Sequence, residues 1–568
     1  MRARSAPNSG WTLSADTVLR SLAIVISLII LLPIATIAVL ALAPAPGVWP
    51  HLIATTLGYS VQQTLLLLAG VASLTLITGA GTAWLVTMYR FPGRALFDWL
   101  LILPLALPTY ITAYCYGEFL DYTGPVQTGL RHIAGFTSYQ DYWFPHVRSL
   151  GGAIFIMAAV LYPYVYLTAR ASFALQSVHV LEVARTLGRT GTGALFSVAL
   201  PMARPALAAG VSLALMECLN DIGAVEYLGV QTLTSSIYAA WLQRSSLSGA
   251  AQLALVIFIF VVGLIALERL GRTLPRFATA RGHRPMPEHR LRGMKGILAS
   301  CACAFPFTAG FAVPMGVLVA GALTHGAQYG LSDYAGAARN SLLLAFIAAI
   351  LTVSLAFILG AALRLCRSPA VTVAARVSSL GYAVPGTVIA IGLVVPLGVL
   401  DNSINDFTKS KFGLSTGLLL SGSAFALIMA YVIRFMAVAL GAIETGMERL
   451  SPNLDAAARS LGASPLGMLR AIHAPLLRPA IGAAALLVFV DAMKELPATL
   501  LLRPFNFETL ATTIYTFASQ EQFERSALAA LTIVAVGLVP LILLHRALSG
   551  AYVSELLQKS PVTTQESG

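Results

Sequence analysis

The sequence predicts an all-helical protein that crosses a membrane about twelve times. Three observations predict this fold class: 57% of the 568 residues are hydrophobic, only 11% are charged, and the apolar residues fall into long runs between short polar segments. A helix needs roughly 20 apolar residues to cross the ~30 Å hydrocarbon core of a bilayer. A chain of this composition is not an ordinary soluble globular domain.

The apolar runs form two sets of six. The first set covers about 21–43, 62–88, 98–117, 151–168, 204–222 and 250–268, and the second covers about 298–322, 340–362, 377–399, 416–433, 478–500 and 527–545. Residues 269–296, between the sets, contain eight Lys and Arg and three Pro, which is typical of a polar linker. We therefore predict a first six-helix domain at 1–268 and a second at 297–568. Six crossings return the chain to its starting side, so the two repeats are parallel.

The net charge of +12 follows this topology. With the N-terminus inside, most of the 36 Lys and Arg fall on the cytoplasmic side, as the positive-inside rule requires. The pattern predicts that both termini are cytoplasmic and that membrane lipid, not nucleic acid, surrounds the chain, because the basic residues do not cluster with stacking aromatics. The five Cys residues form no CxxC pair, so neither a disulfide framework nor a thiolate metal site is predicted.

A polar segment is repeated between the fourth and fifth runs of each set, at 181–201 and 455–475. Five residues recur 274 positions later: Ala184 as Ala458, Arg185 as Arg459, Leu187 as Leu461, Gly188 as Gly462, and Pro201 as Pro475. Ala, Arg and Leu favour a short helix, Gly ends it in the left-handed conformation, and Pro lies near the start of the next helix. Each segment is therefore predicted to present a helix-turn-helix to the cytosol.

These residues resemble the coupling loop of ABC-importer permeases, which reads Glu-Ala-Ala, three residues, Gly, nine residues, Ile, one residue, Leu-Pro. In that family the loop docks into a groove on an ATP-hydrolysing subunit. The resemblance implies that contact for Glu182, Ala184 and Gly188 in the first loop. The implied residues of the second loop are Asp455, Ala458 and Gly462. The second loop lacks the glutamate, and whether Asp455 replaces it stays open.

The wider resemblance covers most of the chain and is closest to fused, two-half permeases for ferric iron, through the segments 107–110, 217–224 and 491–499. It implies a subunit of an ATP-driven importer in the bacterial inner membrane. A periplasmic binding protein delivers Fe(III), and two copies of a cytosolic subunit bind ATP and Mg. The chain has no Gly-Lys dipeptide and hence no Walker A loop, so it is predicted to be no enzyme and to hold no cofactor.

Two alternatives to an iron importer stay open. Similar permeases move thiamine, polyamines or other small solutes, so the same importer class with another cargo fits the same motifs. A secondary transporter driven by an ion gradient also fits twelve helices in two parallel halves. The paired coupling loop favours the ATP-driven importer, because such a carrier does not need one.

Four carboxylates lie inside the apolar runs at two equivalent pairs of positions: Glu217 and Asp221, and Asp491 and Glu495. Each pair is spaced i, i+4 and shares one helix face, and the pseudo-twofold turns both faces toward one axis. Charges at this depth mark a transport route or a structural pair. Hard carboxylate oxygens suit Fe(III) and repel oxyanions. We predict that the four acids line the route, with no resident metal assigned. The alternative is that Lys494 and Asn220 partner them, or that they contact water near the outer helix ends.

Overall fold

The computed structural model describes residues 15–43, 48–175, 193, 195–272, 289–325, 331–366 and 368–558. Within these ranges nearly all regular structure is helical. The exception is one pair of two-residue strands, β1 (Tyr89–Arg90) and β2 (His289–Arg290), which run parallel. The predicted all-helical fold is confirmed.

The helices of the first half follow the predicted runs. They are α1 (Ala15–Leu42), α2 (Val48–Leu52), α3 (Gly58–Met88), α4 (Arg94–Leu100), α5 (Thr109–Leu120), α6 (Pro125–Ala134), α7 (Leu150–Leu175), α8 (Leu200–Asn220), α9 (Ile222–Tyr227), α10 (Leu233–Tyr238) and α11 (Leu247–Arg272).

The helices of the second half repeat this order. They are α12 (Met294–Phe307), α13 (Val313–His325), α14 (Leu331–Leu365), α15 (Pro369–Ser378), α16 (Gly386–Phe412), α17 (Ala424–Glu448), α18 (Pro452–Ser460), α19 (Pro465–Met468), α20 (Ala474–Leu476), α21 (Arg478–Met493), α22 (Pro497–Leu502), α23 (Leu510–Ser519) and α24 (Ala527–Gln558).

The described helices contain ten segments that are long and apolar enough to cross a membrane, or up to twelve if each of two bent pairs is one span. One pair, 94–106 with 109–134, bends by 95°, and the other, 465–476 with 478–493, bends by 74°. All twelve predicted runs overlap one of these segments. The chain is therefore a multi-pass membrane protein.

The third run of each half is not the single helix that we predicted. Leu107 and Val384, each just before a proline, are extended, with ψ angles of 118° and 125°. A proline disfavours the helical conformation of the residue before it, because its ring crowds that residue's backbone. Both runs are consequently broken at the same repeat position, and α5 and α16 begin just after the break.

The helices form two compact units, and each unit combines segments from both halves of the chain. The first unit combines residues 1–36 with 343–384 and 392–492, and the second combines 37–342 with 385–391 and 493–568. Of the predicted linker at 269–296, the structure describes residues 269–272, which end α11, and residues 289–296.

Each unit contains helices from both halves because the first helix of a half packs on the other half. In the first unit, Pro33 of α1 packs against Gly392, and the Cys366 thiol lies 3.6 Å from the Asp16 carbonyl oxygen. In the second unit, the Tyr116 hydroxyl donates to the Ala309 carbonyl oxygen at 2.8 Å.

The core of the second unit lies between α3, α7 and α8. Trp84 and Phe173 meet edge to face there, with ring centroids 5.4 Å apart. Beside this core, Arg170 pairs with Asp98 at 2.6 Å and so joins α7 to α4.

Candidate functional site

Most of the first predicted coupling loop lies outside the described residues. Glu182, Ala184 and Gly188 are among the residues that the structure does not describe. Its C-terminal part is described from Leu195, where one wide helical turn leads into α8. Pro201 lies in the first turn of α8, as the sequence predicted. The roles of the three first-loop residues stay predictions.

The second predicted coupling loop, 455–475, is described in full and forms the predicted helix, turn and helix. Ser451 begins α18 by accepting a hydrogen bond from the Asn453 backbone N–H. Gly462 ends the helix in the left-handed conformation, with φ of +79°. Its N–H donates to the Arg459 carbonyl oxygen and the next N–H donates to that of Ala458, which is a Schellman motif. A glycine is favoured there because it has no Cβ to clash at positive φ.

The Asp455 side chain is turned into the protein. Its Oδ2 lies 2.8 Å from Arg364 Nε, and its Oδ1 lies 2.7 Å from His473 Nε2. Arg364 also donates to the backbone carbonyl oxygens of Met447, Leu450 and Ser451, and so ties α14 to the segment that enters the loop. This ion-pair cluster of Arg364, Asp455 and His473 fixes both ends of the second loop.

The opposite face of the second loop is open. Ala458 is buried beside Asp455, whereas Leu461 is 87% exposed and Leu466 is 55% exposed. Ala456 and Ala457 are exposed on the same helix. The loop therefore presents small and apolar side chains outward together with the exposed Arg459 and Arg470, while its one acidic side chain, Asp455, makes an internal contact.

Asp221 lies at a break between α8 and α9. Its backbone is extended, with φ of −80° and ψ of 98°, and its Oδ1 accepts a hydrogen bond from the Ala224 N–H at 2.8 Å. The first N–H groups of a helix have no partner within that helix, so a carboxylate at this position satisfies one of them. Asp221 is thus the cap of α9, and Glu217 lies one turn before it, half-buried.

Glu495 does the same at the equivalent break between α21 and α22. Its Oε1 accepts the Ala498 N–H at 3.1 Å, and its Oε2 accepts the N–H and the hydroxyl of Thr499 at 3.1 and 2.8 Å. Only 4% of Glu495 is exposed. The repeat therefore places an acid at each of these two breaks. Each acid accepts hydrogen bonds from backbone N–H groups of the short helix that follows.

The two breaks at Asp221 and Glu495 lie together in the second unit. A Cβ on Gly223 would lie 2.8 Å from the side chains of Leu496 and Tyr110, so Gly223, two residues after Asp221, packs directly against the residue that follows Glu495. Asn220 accepts a hydrogen bond from the Gly386 N–H at 2.8 Å, which adds the start of α16. Irregular backbone at membrane depth is stable only when it is buried in protein or lines a water-filled cavity.

The four predicted route acids are not all placed in one unit. Glu217, Asp221 and Glu495 belong to the second unit, and Asp491 belongs to the first. Among the described residues no group of three or more His, Cys, Asp or Glu side chains could hold a metal ion. The common route for the four acids stays a prediction.

The short helices α10 and α23 lie in two similar segments of the sequence, 231–238 and 508–515, to which no role was assigned above. Thr232 and Thr509, at equivalent positions, cap these helices. The N–H of the next residue donates to Thr64 in the first half, at 3.0 Å, and to Ser341 in the second half, at 2.8 Å. Equivalent side chains therefore hold equivalent helices, which shows the repeat in the contacts as well as in the sequence.

We expect replacement of Glu495 with alanine to destabilise the protein by about 1–3 kcal/mol, because it leaves buried N–H groups at the start of α22 without acceptors. Thermal unfolding of the solubilised protein measures the loss. Glu448→Ala, which removes an exposed carboxylate at the end of α17, is the control and is expected to change stability by less than about 0.5 kcal/mol. Equal effects of the two variants would contradict the capping role.

Apolar spans in two equivalent sets, with polar breaks where they meet, define a transport protein of the membrane. A family model described as binding-protein-dependent transport system inner membrane component matches residues 74–276 and again 353–552. The chain belongs to this family, and each half contains one family domain.

Curated relatives show the same division. The Fe(3+)-transport system permease protein FbpB 2 of Haemophilus influenzae is 26% identical over 86% of this chain and 89% of its own length. The sulfate transport system permease protein CysT of Escherichia coli is 30% identical, over 47% of this chain and 94% of its own. The molybdenum transport system permease protein ModB of Escherichia coli is 28% identical, over 37% of this chain and 93% of its own. About half of this chain thus corresponds to a complete subunit of the shorter relatives.

Proposed function

We propose that this chain is the membrane-spanning subunit of an ATP-driven importer that carries Fe(III). The observation that carries the proposal is the alignment with the ferric-iron permease, which extends through both halves of both proteins. The sulfate and molybdenum permeases align with only about half of the chain. Membership of a binding-protein-dependent transport family argues against the alternative of a secondary transporter driven by an ion gradient.

The chemistry of the breaks supports a cation as cargo. Glu217, Asp221 and Glu495 bring carboxylates to the part of the second unit where the helices are interrupted. Carboxylate oxygens are hard ligands that suit Fe(III), whereas an oxyanion such as sulfate would be repelled. Interrupted helices are also where transporters commonly bind their substrates, because freed backbone groups face the route.

The partners follow from the loops. With both termini in the cytoplasm of a bacterial cell, both coupling loops face the cytosol, where two copies of an ATP-binding subunit dock with MgATP. A periplasmic binding protein delivers the iron to the opposite face. In the second loop, the exposed Leu461 and Leu466 offer the contact surface. Asp455 supports that contact indirectly, since its carboxylate holds the loop through Arg364.

The same geometry gives a mechanism. Closure of the ATP-binding subunits displaces both loops, and α8 and α21, which follow the loops, transmit the displacement to the breaks at Asp221 and Glu495. A break allows two parts of one span to rotate with little loss of hydrogen bonds, because the caps already satisfy the backbone. Alternate opening toward each side then moves the ion without covalent chemistry on this chain.

We expect Gly462→Val to lower ATP-driven iron uptake at least tenfold, because a β-branched residue is strained at a φ of +79° and would deform the loop. Gly462→Asn is the matched control, since asparagine tolerates the left-handed conformation. Uptake of radiolabelled iron by proteoliposomes that contain the permease, its ATPase and its binding protein gives the measurement.

Two outcomes would count against the proposal separately. If valine and asparagine at position 462 transport equally well, the second loop does not couple transport to ATP. If the assembled complex accumulates no iron but hydrolyses ATP in response to another solute, the importer class stands and the cargo is wrong.

A further inference from the structure

Three side-chain oxygens approach each other near the surface of the second unit, away from the four predicted acids. The Tyr515 hydroxyl, on α23, donates to Glu226 Oε2 at 2.8 Å. Tyr238, at the end of α10, lies beside Tyr515. Glu226 is exposed and both tyrosines are half-buried, and the hydrogen bond between Tyr515 and Glu226 is itself exposed.

The two tyrosines are equivalent residues of the repeat. Each lies six residues after the threonine that caps its helix, Thr232 in one half and Thr509 in the other. Residues related by a twofold axis come close to each other only near that axis. The route of a two-repeat transporter follows the same axis, since the substrate crosses between the repeats. The Tyr238–Tyr515 pair therefore marks a point on the route.

The charge at this point is negative. Arg503 forms an ion pair with Glu508, so the two charges cancel. Within the part of the chain that the structure describes, Tyr515 is the hydrogen-bond partner of Glu226 and no cationic side chain pairs with that carboxylate. One uncompensated carboxylate favours a cation here and disfavours an oxyanion.

The ligand types select the cation further. Two phenol oxygens and one carboxylate are all hard donors, which prefer a small, highly charged metal ion over a soft one. We propose that Tyr238, Tyr515 and Glu226 form a receiving site that takes Fe(III) at the entrance of the route. The inference rests on the proposed function, because it requires iron as the cargo.

Binding at this site is a ligand exchange that leaves iron as Fe(III). As each phenol oxygen bonds to the ion, its proton passes to water, and an oxygen ligand of the incoming ion, from water or from the delivering protein, departs. The hydrogen bond between Tyr515 and Glu226 is lost because both oxygens then bind the same ion. The route beyond the site continues toward the break at Asp221, which directly precedes α9, the helix that carries Glu226.

The test is a titration of the purified permease–ATPase complex, without the binding protein, with ferric nitrilotriacetate. Phenolate bound to Fe(III) gives a charge-transfer absorption band in the visible range, so the wild type is expected to become coloured. The Tyr238→Phe and Tyr515→Phe variants should weaken iron binding at least tenfold, and the double variant should lose the band. Ga(III), of the same charge and similar size but without this band, should displace the iron and bleach the colour.

Tyr59→Phe is the matched control, because it removes a phenol oxygen from a half-exposed position on α3 in the same unit. It should leave the band unchanged. If the Tyr515–Glu226 hydrogen bond serves only to hold α9 to α23, the phenylalanine variants will unfold at lower temperature while a wild-type band either persists or never forms, and the site is refuted.

Uptake separates this inference from the proposed function. With the binding protein added, Tyr238→Phe with Tyr515→Phe should raise the KM for iron-loaded binding protein at least tenfold. If the wild type imports iron and the double variant imports it with the same KM and the same spectrum, the receiving site is wrong and the function stands. If the assembled wild type imports another solute and no iron, both are wrong.

Discussion

Replacing Asp455 with alanine is expected to destabilise the protein by about 3–5 kcal/mol and to reduce ATP-driven uptake at least tenfold. The side chain is buried between Arg364 and His473, at 2.8 and 2.7 Å. Its removal leaves the Arg364 guanidinium buried without its counter-ion, which costs more than the pair itself contributes. The second loop would then lose its fixed position. Thermal unfolding and uptake by the reconstituted complex measure the two effects.

Matched variants distinguish the loss of the Arg364–Asp455 ion pair from the loss of a negative charge elsewhere in the same region. Glu448→Ala removes an exposed carboxylate at the end of α17, shortly before the same loop, and should leave stability within about 0.5 kcal/mol of wild type. The double variant Arg364→Ala with Asp455→Ala should be less destabilised than the sum of the two single variants, because no charge is left unpaired. Additive effects would contradict a direct pair.

The ion-pair cluster of Arg364, Asp455 and His473 also makes the stability that Asp455 contributes depend on pH. Burial raises the pKa of Asp455, but the hydrogen bonds and charge of His473 and Arg364 lower it more, so the net pKa lies below its usual value. A depressed folded-state pKa contributes stability above the unfolded value of about 3.9, and that stability is lost as the pH falls through the folded pKa. The stability difference between wild type and Asp455→Asn should therefore shrink as the pH falls below about 4.

The spans and the second loop could be predicted because their signals are local. An apolar run of about 20 residues fixes a span whatever surrounds it, and Gly462 after a helical segment fixes the turn. The breaks at Leu107 and Val384 were missed although their signal, a following proline inside an apolar run, is present in both halves. Each run is long enough to cross the membrane as one helix, and we predicted one helix from that length in spite of the proline.

Contacts between distant residues had no such signal. Arg364 precedes Asp455 by 91 positions, and nothing in either neighbourhood shows that they meet. The contact of Tyr515 with Glu226 spans 289 positions. The sequence alone therefore left open whether Asp455 replaces the missing glutamate of the second loop, and no role for Tyr238, Tyr515 or Glu226 was predicted from it. The two tyrosines occupy equivalent positions of similar segments, 231–238 and 508–515, but nothing in those segments shows that the side chains meet.

Simultaneous Glu217→Gln and Asp491→Asn is expected to reduce iron uptake more than tenfold while ATP hydrolysis by the complex continues. The choice of these two acids follows from the structure. Asp221 and Glu495 cap α9 and α22, so their replacement would disturb folding as well as transport. Glu217 and Asp491 are half-buried and lie within α8 and α21, not at the start of a helix, so their charges are the better test of the route.

The readouts of that double variant must distinguish a lost route from a damaged fold. Unfolding temperature within a few degrees of wild type, together with ATP hydrolysis that still responds to the iron-loaded binding protein, would show an intact and coupled complex. Loss of uptake in that complex then means that the ion no longer crosses, since an apolar span without its carboxylates offers a hard cation no oxygen ligands to replace its water. Unchanged uptake would instead exclude Glu217 and Asp491 from the route, and the breaks capped by Asp221 and Glu495 would serve as hinges alone.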